Sequence, residues 1–176
     1  MVLLVVDTQE ALVNEALYQY GDFVANIRLL IQTARQNGVE VVYVVHDDGP
    51  GSELTEGCAG FAVFGAFAPH PGERVFVKHW NSAFRDTGLA EYLTEKGEKT
   101  VVVAGLQTDK CINATVIGGF ERGFDMVVPA GCNSTVDNPC MDRRQSYEYY
   151  NGFLWPERFA ACPALRETIE KMERHT

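Results

Sequence analysis

The chain of 176 residues has little of what marks several protein classes. Its five cysteines, Cys58, Cys111, Cys132, Cys140 and Cys162, are odd in number and include no C-x-x-C pair. That pattern argues against a disulfide framework and against a thiolate zinc site, and it points to a reducing cytoplasm. Lys and Arg number 15 against 24 Asp and Glu, a formal charge of -9, with a pI near 4.9. Phosphate recognition runs on Lys and Arg, so no nucleic-acid partner is expected, nor a basic patch for a membrane surface. No apolar run approaches the roughly 20 residues of a membrane span. The opening run Met1–Val6 has no basic residues before it and ends at Asp7, so no signal peptide is expected. The turn that follows, Asp7-Thr8-Gln9-Glu10-Ala11, carries no G-x-G-x-x-G and no G-x-x-x-x-G-K. The carboxylate of Asp7 also disfavours a phosphate there, so no nucleotide or flavin cofactor is expected. A G-x-S-x-G elbow is missing too, which disfavours a Ser-His-Asp hydrolase.

What is present is a set of short apolar runs alternating with helical patterns. Val2–Val6, Val39–Val45 and Thr100–Ala104 are rich in β-branched residues and have almost no polar interruption. Strands buried on both faces read this way. Arg74–Lys78 and Asp125–Val128 read as shorter strands, and a sixth strand is expected in residues 153–162. Phe23, Ile27, Leu30, Ile31 and Ala34 share one helical face that Asn37-Gly38 stops. Leu89, Tyr92 and Leu93 mark a second helix, and Leu165, Ile169 and Met172 a closing one. The alternation predicts one α/β domain over 1–176, a three-layer doubly wound fold with a mostly parallel, Rossmann-like sheet flanked by helices.

Chemistry-bearing residues fall at the ends of these strands. Asp7 follows the first, Lys78 ends the third, and Cys111 follows the run that Gly105 closes. In open parallel sheets ligands bind at the carboxyl edge. Thr108 or Asp109 is expected to cap a helix behind Cys111, and the positive end of that helix should ease ionisation of the thiol. A thiolate is a nucleophile, a carboxylate takes its proton and an ammonium holds both. Taken one at a time, Asp7 reads equally as a helix cap, Lys78 as a solvated edge residue and Cys111 as an inert buried thiol. Between His46 and Gly72 lies a long excursion rich in Gly and Pro, of the kind that forms binding loops. Phe61, Phe64, Phe67, Trp80 and Phe84 are candidate pocket walls or core residues. Gln9 and Asn81 are further pocket candidates.

The ordered set Leu4-Val5-Val6-Asp7-Thr8-Gln9, Val77-Lys78 with Ser82-Ala83-Phe84, and Gly105-Leu106-Gln107-Thr108-Asp109-Lys110-Cys111 resembles the isochorismatase-like cysteine hydrolases. Nicotinamidase and N-carbamoylsarcosine amidohydrolase are in that group. The resemblance runs to about residue 137, with Ser134-Thr135 fitting the loop after the next strand. It implies an Asp7-Lys78-Cys111 triad and a cis peptide at Leu106–Gln107. It also implies an oxyanion hole built from the backbone N–H groups of Gln107 and Cys111. The expected activity is hydrolysis of an amide, carbamoyl or ureido C–N bond of a small molecule through a Cys111 thioester. The family often forms dimers or tetramers, so a homo-oligomer is expected. Nicotinamidases hold a metal through an Asp and several His before the lysine. Here His46, Asp47, Asp48, His70 and His79 occupy that region without the motif, so no metal is expected. The alternative from another class is a non-catalytic redox-sensing or small-molecule-binding module, with Cys111 as its reactive thiol.

Overall fold

In the computed structural model, which describes residues 1–174, six parallel strands form one sheet. The elements in chain order are β1 (Val2–Val6), α1 (Tyr20–Gln36), β2 (Glu40–His46), β3 (Arg74–Lys78), α2 (Leu89–Glu95) and β4 (Thr100–Leu106). They continue with α3 (Asn113–Phe120), β5 (Asp125–Val127), β6 (Asn133–Ser134), α4 (Arg143–Tyr149) and α5 (Leu165–Glu173). The sheet order is β3-β2-β1-β4-β5, and β6 pairs with β4 beyond the end of β5.

Helices cover both faces. Val2, Leu4, Val6, Val42, Val44, Val101 and Val103 pack with Leu89 and Leu93 of α2 and with Ile112 and Val116 around α3. Leu3, Val5, Val41, Tyr43, Val102 and Ala104 pack with Phe23, Ile27, Leu30 and Ala34 of α1 and with Met172 of α5. Side chains alternate across a strand, so the unbroken apolar runs supply both layers at once. Each fully buried Val or Leu contributes about 1.5–3 kcal/mol. This is the three-layer, doubly wound arrangement.

Two details depart from the sequence reading. The sixth strand is not in 153–162 but at Asn133–Ser134, inside a stretch whose Gly, Asn, Ser and Pro content reads as loop. Ala161 makes only a single bridge to Val127. Gly105 lies inside β4 instead of ending it. At φ +129, a Cβ there would stand 2.0 Å from the Val6 carbonyl oxygen, so glycine is what lets β4 pass β1 at this point.

Candidate active site

Four neighbouring strands deliver four side chains to one point. In sheet order they are Lys78 at the end of β3, His46 at the end of β2, Asp7 just past β1, and Cys111 on a turn past β4. Lys78 pairs in register with His46, and the Asp7 N–H donates to the Val44 carbonyl at 2.8 Å. Asp7 adopts φ +51, and the next helix, α1, begins only at Tyr20 with Gln19 as its N-cap, so Asp7 is not a helix cap. From β3 to β1 is two strand spacings, about 10 Å. Only a long side chain crosses that gap, and Lys78 crosses it directly over His46.

The Lys78 ammonium, on a residue 1% exposed, has a partner for each of its three protons. Asp7 Oδ2 lies at 2.8 Å, His46 Nδ1 at 2.9 Å and Cys111 Sγ at 3.3 Å. Lysine offers donors only, so His46 accepts at Nδ1 and carries its proton on Nε2. That Nε2–H faces Asp48 Oδ1 at 2.9 Å, and the other Asp48 oxygen accepts from Ser52 at 3.1 Å. Asn81 Oδ1 stands 3.9 Å from Cys111 Sγ. Oδ1 of Asp7 is buried and takes no hydrogen bond from the described residues.

Charge balance decides the protonation states. Burial raises the Asp7 carboxyl, against the pull of the Lys78 ammonium and of hydrogen bonds from Lys78 and the Cys111 thiol. Burial, reinforced by the Asp7 carboxylate, pushes the Cys111 thiol up to about 12, with Lys78 opposing. One ammonium cannot neutralise two buried anions. Burial and the neighbouring carboxylate both work against a Cys111 thiolate, the opposite direction from the easier ionisation expected of a helix N-terminus.

The helix-cap expectation fails as well. Thr108–Ile112 is a widened helical turn leading into α3, and Gln107 before it caps nothing with its side chain. The Thr108 hydroxyl donates to Asn133 Oδ1 at 2.7 Å, and Asn133 and Asn151 exchange amide hydrogen bonds. Asp109 accepts from the Thr135 hydroxyl at 2.5 Å and from Asn138 at 3.4 Å. The turn bearing Cys111 is thus pinned by residues well downstream of it in the chain. The peptide between Leu106 and Gln107 is cis.

The pocket candidates separate. Gln9 is fully buried. Its amide donates to the carbonyls of His46 and Phe61, at 2.9 and 3.0 Å, and its oxygen accepts from the His46 N–H at 2.8 Å. Gln9 is a clamp between the excursion and β2, not a pocket wall. Phe61, in a short 3-10 turn, supplies one of those carbonyls. Phe67 and Phe84 are core residues, Phe84 stacked on Phe124 at 5.4 Å. Trp80 is 46% exposed, with the Arg85 guanidinium 3.7 Å above its ring. A cleft of about 670 Å³ lined by Phe120, Phe124, Met126, Phe159 and Cys162 lies around β5. It contains none of the four clustered side chains, so its size carries no chemistry.

A carboxylate oxygen of Asp7, a ring nitrogen of His46 and the Cys111 sulfur lie within 4.8 Å of one another. The ammonium of Lys78 is hydrogen-bonded to all three residues, so a metal ion would have to displace it. These residues do not fit a metal site. No helix among the described residues is long and apolar enough to cross a membrane.

The Isochorismatase domain family matches residues 1–154. The chain belongs to the isochorismatase family. A streptothricin hydrolase of Streptomyces noursei is 33% identical over 139 residues, 78% of this chain and 55% of that protein. The ureidoacrylate amidohydrolase RutB of Methylorubrum extorquens is 25% identical over 207 aligned positions, 96% of this chain and 84% of that protein. A solved isochorismatase-family structure from Chromobacterium violaceum ATCC 12472 superposes with a TM-score of 0.92, covering 98% of this chain and 93% of that one at 24% identity. The chain spans about half to two thirds of the length of several curated relatives.

Proposed function

We propose that the chain is a cysteine hydrolase that cleaves an amide, carbamoyl or ureido C–N bond of a small molecule. The observation that carries the reading is the Lys78 ammonium, held 2.8 Å from Asp7 Oδ2 and 3.3 Å from Cys111 Sγ at the carboxyl edge of the sheet. The names of its relatives agree: RutB is an amidohydrolase of ureidoacrylate, and the Streptomyces protein hydrolyses streptothricin. Five unpaired cysteines suit a reducing cytoplasm.

The reaction follows from the protonation states. The thiol proton passes to Asp7 as Cys111 Sγ bonds to the substrate carbonyl carbon. Burial raises both groups, so the raised carboxylate is a better match for the thiol than an ordinary one is. The carbonyl oxygen becomes an oxyanion and is held by the backbone N–H groups of Gln107 and Cys111. The Asp7 carboxyl then gives its proton to the departing nitrogen as the C–N bond breaks, leaving a Cys111 thioester. Water, losing a proton to Asp7, attacks the thioester carbon. The sulfur leaves and recovers its proton from Asp7. Lys78 stays cationic throughout and offsets whichever anion is present.

The test is single turnover on ureidoacrylate and on a streptothricin, with acyl-enzyme trapping read by intact-protein mass spectrometry. The expected result is acylation confined to the Cys111 peptide and absent in Cys111→Ala. Hydrolysis that persists in Cys111→Ala would overturn the reading. A wild-type thiol that becomes a sulfenic acid under peroxide, with no hydrolysis of any amide, would favour the redox-module alternative.

A further inference from the structure

His46 is the one clustered side chain that the hydrolytic sequence above does not use, yet it spends its ring on the site. Its Nδ1 accepts from Lys78 at 2.9 Å, and its Nε2–H is fixed by Asp48 at 2.9 Å. The imidazole is mostly covered, whereas the Asp48 side chain is 48% exposed. The line Asp7–Lys78–His46–Asp48 therefore runs from a buried carboxylate to solvent.

The contact has a condition attached. An ammonium 2.9 Å from a ring nitrogen is a hydrogen bond only while that nitrogen has its lone pair. A proton on Nδ1 turns it into two cations in contact, with no lone pair between them. The charged and titratable groups facing the imidazole are Lys78 from β3, Asp7 from β1, Cys111 from the turn after β4 and Asp48 from its own loop. Asp48 lies on the Nε2 side of the ring and Asp7 on the far side of the ammonium contact, and at 2.9 Å from Nδ1 the ammonium leaves no room for either carboxylate between them.

We propose that His46 is a positioning residue: as the Nε2–H tautomer oriented by Asp48, it takes one Lys78 N–H and fixes the ammonium between Asp7 and Cys111. The proposal rests on the hydrolase reading only for its effect on turnover, because the contact itself is independent of any substrate.

Two measurements test it. In turnover of ureidoacrylate against pH, His46→Leu has no acceptor for Lys78 and should lower kcat about 10²-fold at every pH, with KM little changed, as expected for a misplaced catalytic group. His46→Gln offers an amide oxygen that does not take up a proton in this range. It should recover most of that loss. Full activity in His46→Leu, or no recovery in His46→Gln, overturns the proposal. The second measurement needs no turnover. In 15N NMR of wild-type protein near neutral pH, the His46 ring should be neutral with its proton on Nε2. A cationic ring or an Nδ1–H tautomer overturns the contact, whatever the substrate. If the wild type hydrolyses nothing, the hydrolase reading fails, and the ring tautomer still decides whether His46 holds Lys78.

Discussion

Two cysteines hang on the same strand and teach different lessons. Cys111 sits on the turn after β4, and Cys132 lends its carbonyl to the Gly105 N–H of β4 at 2.9 Å. Both thiols are unpaired, and both are pushed up to about 12. For Cys132 the cause is burial alone, among the apolar side chains of the α1 face. For Cys111 it is burial together with the Asp7 carboxylate, opposed by Lys78. A thiol's resting acidity therefore does not identify a nucleophile. What separates the two is their surroundings: a carboxylate and an ammonium stand beside Cys111, the neighbours that the proposed reaction requires, whereas burial alone acts on Cys132.

The sharpest way to separate them is truncation. Cys111→Ala should lower turnover by at least about 10⁴-fold with little change in stability, because it removes the nucleophile of the proposed reaction. Cys132→Ala should do the reverse, keeping turnover within a few-fold and costing about 1 kcal/mol in urea unfolding for the lost buried sulfur. Matching activity losses in the two variants would break the comparison.

Removing the cation comes next. Lys78→Met leaves the Asp7 carboxylate buried without its ion pair. It should cost about 3–5 kcal/mol in denaturant unfolding near neutral pH, besides abolishing turnover. A variant as stable as the wild type would show that Lys78 contributes no net stabilisation.

Gly105→Ala probes the approach of β4 to β1, which brings Asp7 and Cys111 together. With φ +129 and the Val6 carbonyl oxygen 2.0 Å from the new Cβ, the expected loss is at least about 3 kcal/mol, read as a lower urea midpoint. No flexible side chain is available there to move aside.

The smallest effect sharpens the contrast most directly. The Asp7 charge raises the Cys111 thiol and Lys78 lowers it, so Asp7→Asn leaves the ammonium unopposed and the thiol pKa falls. Iodoacetamide labelling of Cys111 at neutral pH should accelerate about tenfold for each unit of that fall. Labelling of Cys132 should be unchanged. In the wild type, Cys111 labelling should climb about tenfold per pH unit from about 7 to about 10 without a plateau, because burial and the Asp7 carboxylate hold the thiol up. A plateau near the ordinary thiol pKa of about 8.5 would mean the thiolate is already present at rest.

The three apolar runs, the β-α-β order and the positions of Asp7, Lys78 and Cys111 at strand ends were all legible in the sequence. So were α1, α2 and α5, whose apolar faces repeat at helical spacing over 7 to 17 residues. The α4 segment was missed although its signature is local: Asp142 and Gln145 form a reciprocal capping box. The β6 strand was missed because two residues are too short for any periodicity, and it exists only by pairing with Gly105 and Leu106.

The sequence by itself determined which residues line the two faces of the sheet, because side-chain alternation in a buried strand is a local property of the chain. It also determined which polar residues must fall at the strand ends. Only the tertiary structure decided that Lys78 spans His46 to reach Asp7, since strand order is a long-range choice that no local pattern encodes. It likewise decided that Gln9 clamps a loop, that Thr108 and Asp109 pin a turn instead of capping it, and that burial and Asp7 hold the Cys111 thiol up. Each of these depends on partners far away in the chain, and on burial that removes the water which would otherwise have satisfied the same groups.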